Sequence, residues 1–152
     1  MNRHTRRILA TFLCSLSLAA MAAGPDDKRV VATADAPEAI GPYSQAIRAG
    51  NTLYLSGQIA IDPKTKQLMA SADIETQTQL VLDNLLAVLK ADGMDMSHVV
   101  STTVFLKDLN NFATMNAIYA KYFKTHPPAR ATVEVARLPR DVQIEISAIA
   151  VK

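Results

Sequence analysis

The chain has 152 residues, with 16 basic and 14 acidic side chains, 49% hydrophobic residues, no tryptophan and one cysteine. That length suits one domain of ordinary size, whose core volume must come from Val, Ile, Leu, Met and Ala. No internal repeat, low-complexity run or basic patch points to an array, a disordered tail or a nucleic-acid partner.

The first 22 residues read as a signal peptide. Met1 to Arg7 is a basic n-region, Ile8 to Met21 is apolar but too short and wrongly flanked to span a membrane, and Ala20-Met21-Ala22 is an A-x-A cleavage site. Cys14 lies inside the apolar run, so cleavage leaves no thiol and no disulfide. Loss of Arg3, Arg6 and Arg7 leaves 13 basic against 14 acidic side chains, a net charge of −1. The expectation is an exported, periplasmic protein with no stable membrane anchor and no nucleic-acid partner. Residues 23–29 read as a linker and 30–152 as a single domain.

Arg29 to Thr33 reads as a short first strand. Ala46 to Arg48 and Thr52 to Ser56 flank Ala49-Gly50-Asn51 as a hairpin, and Ile59 to Ile61 extends the second strand past Gly57. Apolar residues at Ile74, Val81, Leu82, Leu85, Val88 and Leu89 predict a helix over Asp73 to Ala91, capped by Ser71 or Asp73 and ended by Gly93. Val99 to Leu106 is a β-branched strand. A second helix runs from about Phe112 to Phe123, capped by Asn110 or Asn111 and stopped before Pro127-Pro128. Strands at Ala129–Val135 and Val142–Ala150 complete the order β-β-β-α-β-α-β-β. That order predicts an α+β domain, a mixed sheet with two helices on one face.

Alternation sorts the strand residues. Leu53, Leu55, Val100, Val104, Val133, Val135, Ile144 and Ile146 would face the helices. Ser56, Ser101, Thr103, Arg130, Thr132, Glu134, Glu145 and Ser147 would share the open face with Tyr54, Phe105, Ile149 and Val151. A half-apolar open face needs cover, and other subunits would supply it.

Arg130 and Glu145 are the candidate chemical pair. An arginine on a strand can grip a carboxylate with two parallel hydrogen bonds, and a nearby carboxylate can position or deprotonate a water. Arg130 could equally form a structural ion pair with Glu134 or Asp141. Gly57 ends a strand where a backbone N–H can approach a ligand. Tyr43 follows the Gly41-Pro42 turn and could pack beneath it. Asn116 could serve only as a hydrogen-bonding helix residue, and Thr132 only as an ordinary strand threonine. His98 and His126 lack metal-ligand spacing, and no nucleophile–base pair stands out.

Taken in order, Gly41-Pro-Tyr43, Ser56-Gly-Gln58, Thr102-Thr-Val-Phe-Leu-Lys-Asp-Leu109, Pro128-Ala-Arg130, Val133-Glu-Val-Ala-Arg-Leu-Pro139 and Ile144-Glu-Ile146 resemble the YjgF/RidA family of reactive intermediate/imine deaminases. The resemblance covers about Val30 to Lys152. It implies a homotrimer of chorismate-mutase-like folds with clefts between subunits. It also implies hydrolysis of enamine and imine acids, such as 2-aminoacrylate, to 2-keto acids and ammonia. That chemistry calls for no metal and no cofactor. By position, Arg130 matches the carboxylate-gripping arginine and Glu145 the water-positioning glutamate. Tyr43 and Asn116 match cleft-lining residues, and Gly57 and Thr132 match positions whose backbone contacts the ligand. Non-catalytic binding of small carboxylates and RNA cleavage are the alternatives. The sequence departs from the common pattern at Thr132, where cysteine is frequent, at Ser147, where glutamate is frequent, in the short Lys124–Pro128 loop, and in its export signal.

Overall fold

The computed structural model describes residues 28–152. The signal segment 1–22 and linker residues 23–27 lie outside them. Lys28, read from sequence as linker, opens the first strand, and Arg29, where the linker and strand readings overlap, belongs to the strand. The elements are β1 Lys28–Val31, β2 Ala46–Ala49, β3 Thr52–Gln58, α1 Ile74–Ala91, β4 Val99–Leu106, α2 Phe112–Tyr122, β5 Ala129–Glu134 and β6 Ile144–Val151. The predicted order holds. Ile59 to Ile61 does not extend β3, and only Ile61 bridges, to Leu68.

Six strands form one sheet in the order β1-β2-β3-β6-β4-β5. Every neighbouring pair is antiparallel except β4 and β5, which are parallel and joined through α2. Gly50 takes φ +57° in the β2–β3 turn, a conformation a side chain would strain. The sequence also explains the helix ends. Asp73 accepts from the Thr76 amide to cap α1. The chain enters α2 through a 3-10 turn, Leu109–Asn111, capped by the Asp108 side chain on Asn110 N. Asn111 precedes α2, but its side chain makes no capping bond.

Both helices cover one face. Leu53, Leu55, Val104, Leu106, Ile144 and Ile146 pack there against Val81, Leu82, Leu85, Leu89, Met115 and Ile118. The inward row of β4 is not the predicted one throughout. A register shift between Val99 and Ser101 forms a bulge, so Val99 is buried while Val100 is 48% exposed.

Strand β5 reverses its predicted faces. Its register pairs Arg130 with Thr102, Thr132 with Val104 and Glu134 with Leu106. Val104 and Leu106 point into the helix-side core, so Arg130, Thr132 and Glu134 lie on the helix side. Val133 pairs with Phe105 on the open face and is 43% exposed. Val135, expected toward the helices, packs with Phe105 in a second small cluster that includes Ile59, Ile61, Leu138 and Val142. Alternation assigns the apolar side of a strand to its own subunit's core. On this edge strand, Ala129, Ala131 and Val133 make the open face apolar instead, and the polar set meets the flank of α2.

Buried amides pin the loops. The Gln45 side chain accepts from Thr33 N at 2.7 Å and donates to Thr33 O, Ala36 O and Pro37 O. Asn84 holds Ile61 O, and Gln77 holds Ala70 O, Ala72 O and Gln143 N. Each bond satisfies a polar group that would be costly to bury unpaired.

Candidate functional site

The six predicted site residues fall into two groups, on opposite faces of the sheet. Glu145, Tyr43 and Gly57 line one open cleft of about 360 Å³, with Pro37, Ile40 and Pro139 among its walls. Glu145 is carried on β6 opposite Phe105, between the core residues Ile144 and Ile146. Its carboxyl lies over Gly57. A Cβ on Gly57 would overlap Glu145 Oε1 and stand 2.9 Å from the carboxyl carbon. The glycine is thus needed for the space its missing side chain leaves. Burial pushes the Glu145 carboxyl above its ordinary value of 4.5. The Tyr43 ring packs over Gly41, its hydroxyl accepts from Ile40 N at 3.3 Å, and it remains 49% exposed.

Arg130, Asn116 and Thr132 form the second group. The Arg130 guanidinium lies over two α2 rings, 4.6 Å from the Tyr119 centroid and 5.7 Å from that of Phe112. Asn116 stands on the same α2 stripe, four residues after Phe112 and three before Tyr119. The Thr132 hydroxyl is buried without a hydrogen-bond partner among the described residues. The ion pairs that could have occupied Arg130 are used elsewhere. Glu134 accepts from Leu109 N at 2.9 Å, and Asp141 pairs with Arg137 at 2.8 and 3.0 Å.

The expectation that Arg130 and Glu145 share the open face is therefore corrected. Strand β4 separates them, and their register partners Thr102 and Phe105 are three residues apart. Standard sheet spacings put their Cα atoms about 14 Å apart, before the opposite facing is counted. A three- or four-carbon acid cannot touch both within one subunit. Sequence reasoning also missed Tyr119 and Thr102. The signal that could flag Tyr119 is a tyrosine hydroxyl on a helix needing a partner. Among the described residues, no three His, Cys, Asp or Glu side chains converge as a metal site requires. No helix among them is long and apolar enough to cross a membrane.

The Endoribonuclease L-PSP family model matches residues 33–152. A RutC family protein of Pyrococcus horikoshii is 55% identical over 125 residues, which are 82% of this chain and 98% of the relative. The 2-iminobutanoate/2-iminopropanoate deaminase of Escherichia coli K12 is 50% identical over 127 residues, again 82% of this chain and 98% of the relative. Among solved structures, E. coli TdcF with bound serine superposes with a TM-score of 0.78 at 42% identity, covering 82% of this chain and 98% of TdcF.

Proposed function

The chain belongs to the L-PSP endoribonuclease family, also called the YjgF/RidA family, and from that premise we propose that it hydrolyses imine and enamine acids to 2-keto acids and ammonia. The observation that carries the reading is the Glu145 carboxyl, pushed up by burial and seated over Gly57 in a cleft. A carboxylate of raised pKa is a better base for water than an ordinary one. The 50% identical deaminase supports the same chemistry.

The substrate carboxylate sits on Arg130 through paired N–H donors. An enamine such as 2-aminoacrylate first takes a proton on its terminal carbon and becomes the iminium. Glu145 removes a proton from a water as its oxygen bonds to the iminium carbon, giving a carbinolamine. The proton passes from Glu145 to the amine nitrogen. The C–N bond breaks, ammonia leaves, and the carbonyl of the keto acid forms as the hydroxyl gives its proton to the again-ionised Glu145, which releases it to solvent and so returns the proton the enamine took up. Water is consumed, and nothing is oxidised or reduced.

The site needs two copies of the chain. Arg130 of one subunit faces Glu145, Tyr43 and Gly57 of its neighbour across an interface covering the open sheet face. That face carries Tyr54, Ile149 and Val133, which are 51%, 37% and 43% exposed. A closed ring satisfies every such surface, and the family resemblance points to a ring of three, so a homotrimer is the assembly we propose. Residues 1–22 are proposed as a signal peptide that takes the protein to the periplasm.

The test is pyruvate release from enzymatically generated 2-aminoacrylate by residues 23–152. Wild type accelerates release, and Arg130→Ala and Glu145→Gln each reduce it by at least about 100-fold. Equal rates for wild type and Arg130→Ala sink the reading. The serine-bound TdcF structure favours a second reading, a binder of small carboxylates. That reading predicts saturable pyruvate binding, lost in Arg130→Ala, with no ammonia released.

A further inference from the structure

Arg130 is held in a way that the hydrolysis alone does not demand. No carboxylate pairs with it among the described residues; aromatic rings hold it instead. The nearer ring, Tyr119, is fixed on two sides. The Phe123 ring packs 4.5 Å away at a tilt of 35°. The Tyr119 hydroxyl shares a buried 2.7 Å hydrogen bond with Thr102 Oγ1. Thr102 is itself the β4 register partner of Arg130, so the lock stands directly behind the arginine. Thr102 and Tyr119 are 2% and 6% exposed, and Thr102 is the one polar side chain in the inward row it shares with Val104 and Leu106.

We infer that Tyr119, locked by Thr102, is a positioning residue that pre-orients the Arg130 guanidinium for a two-pronged grip on the substrate carboxylate. The inference rests on the deaminase reading for its substrate, but its geometry is independent of turnover. A guanidinium steered by an acidic side chain would have its donors occupied by a competing carboxylate. A guanidinium lying over a neutral ring keeps its in-plane N–H donors free. Burial raises the Tyr119 pKa, outweighing the opposing Thr102 hydrogen bond and the weaker pull of Arg130, so the phenol stays neutral and does not become a rival anion. A pre-oriented fork binds its ligand with less ordering left to do.

The experiment compares wild type, Tyr119→Phe, Tyr119→Leu and Thr102→Val. The first readout is the Arg130 Nε–Hε NMR resonance in ligand-free protein, assigned by its loss in Arg130→Ala. The second is KM and kcat for 2-aminoacrylate hydrolysis, with thermal unfolding measured alongside. In wild type the resonance is ring-shifted and ordered. Tyr119→Leu removes most of the shift, leaving only the weaker contribution of the more distant Phe112 ring, and raises KM roughly tenfold, with kcat within about twofold. Tyr119→Phe keeps the ring and most of the shift. Thr102→Val keeps ring and volume but broadens the resonance and raises KM a few-fold. An unchanged Arg130 resonance and unchanged KM in Tyr119→Leu, with only a lower melting temperature, overturn the inference and leave Tyr119 a core residue. If Tyr119→Leu does not fold, the Thr102→Val resonance decides. Failure of wild type to release pyruvate sinks the deaminase reading instead, and the resonance still decides the positioning claim.

Discussion

At the scale of single residues, Glu145 sets stability against activity. Its folded pKa lies above the ordinary 4.5 because burial disfavours the ionised form. The stability it contributes is complete below about pH 4.5 and is lost as pH rises through the raised value. Glu145→Gln therefore melts higher than wild type at neutral pH, and the two curves converge as pH falls below about 4.5. Thermal unfolding across that range checks the sign, and a variant less stable than wild type at pH 7 contradicts it. The same shift places the acidic limb of the proposed deaminase rate above pH 4.5, since the base must be ionised. Gly57→Ala displaces the Glu145 carboxyl from its seat. The expected result is a large fall in kcat with a folded protein, read by circular dichroism beside pyruvate release. A fully active Gly57→Ala protein contradicts the placement of that carboxyl.

At the scale of elements, the β1–β2 edge of the sheet is tied by charge as well as by packing. Asp92, past the C-terminus of α1, has a fully buried side chain that pairs with Arg48 at 2.8 Å and with Arg29. Its carbonyl accepts from Lys152 Nζ at 2.8 Å, which brings in the end of the chain. Asp92→Ala leaves Arg48 largely buried and uncompensated, and the expected loss is about 3–5 kcal/mol in denaturant unfolding. A loss within experimental error shows that the arginines escape to water.

Much of this scale was legible in the sequence. The α1 stripe from Ile74 to Leu89 gave that helix, and the β-branched run gave β4 to its ends. The faces of β5 were not legible. Arg130, Thr132 and Glu134 alternate with Ala129, Ala131 and Val133, and the pattern alone cannot say which set meets the core. Only the register with Thr102, Val104 and Leu106 decides it. Val100 was misplaced for a related reason, since a bulge breaks the period of two without marking the sequence. The site was legible as residues and motifs. Its division between two faces depends on strand order, which no local pattern encodes.

At the scale of the whole molecule, that division is the main consequence of the fold. One subunit presents a guanidinium on an aromatic platform at the β5 edge. It presents a half-buried carboxyl in a cleft on the other face. In the proposed assembly these halves meet between neighbouring copies. Val133→Asp places a charge on the open face, so it dissociates the proposed trimer and abolishes turnover together, as sedimentation and assay report. An active monomer contradicts the shared site. The most direct measurement is subunit mixing. Arg130→Ala and Glu145→Gln chains, each inactive alone, are co-expressed and the mixed assemblies purified. If Arg130 of one subunit works with Glu145 of the next around a closed ring of three, every mixed ring holds one intact site, so about a third of the sites work and pyruvate release returns to that fraction of wild type. Activity no greater than that of the two parent variants contradicts the account, because the two residues would then have to act within one subunit.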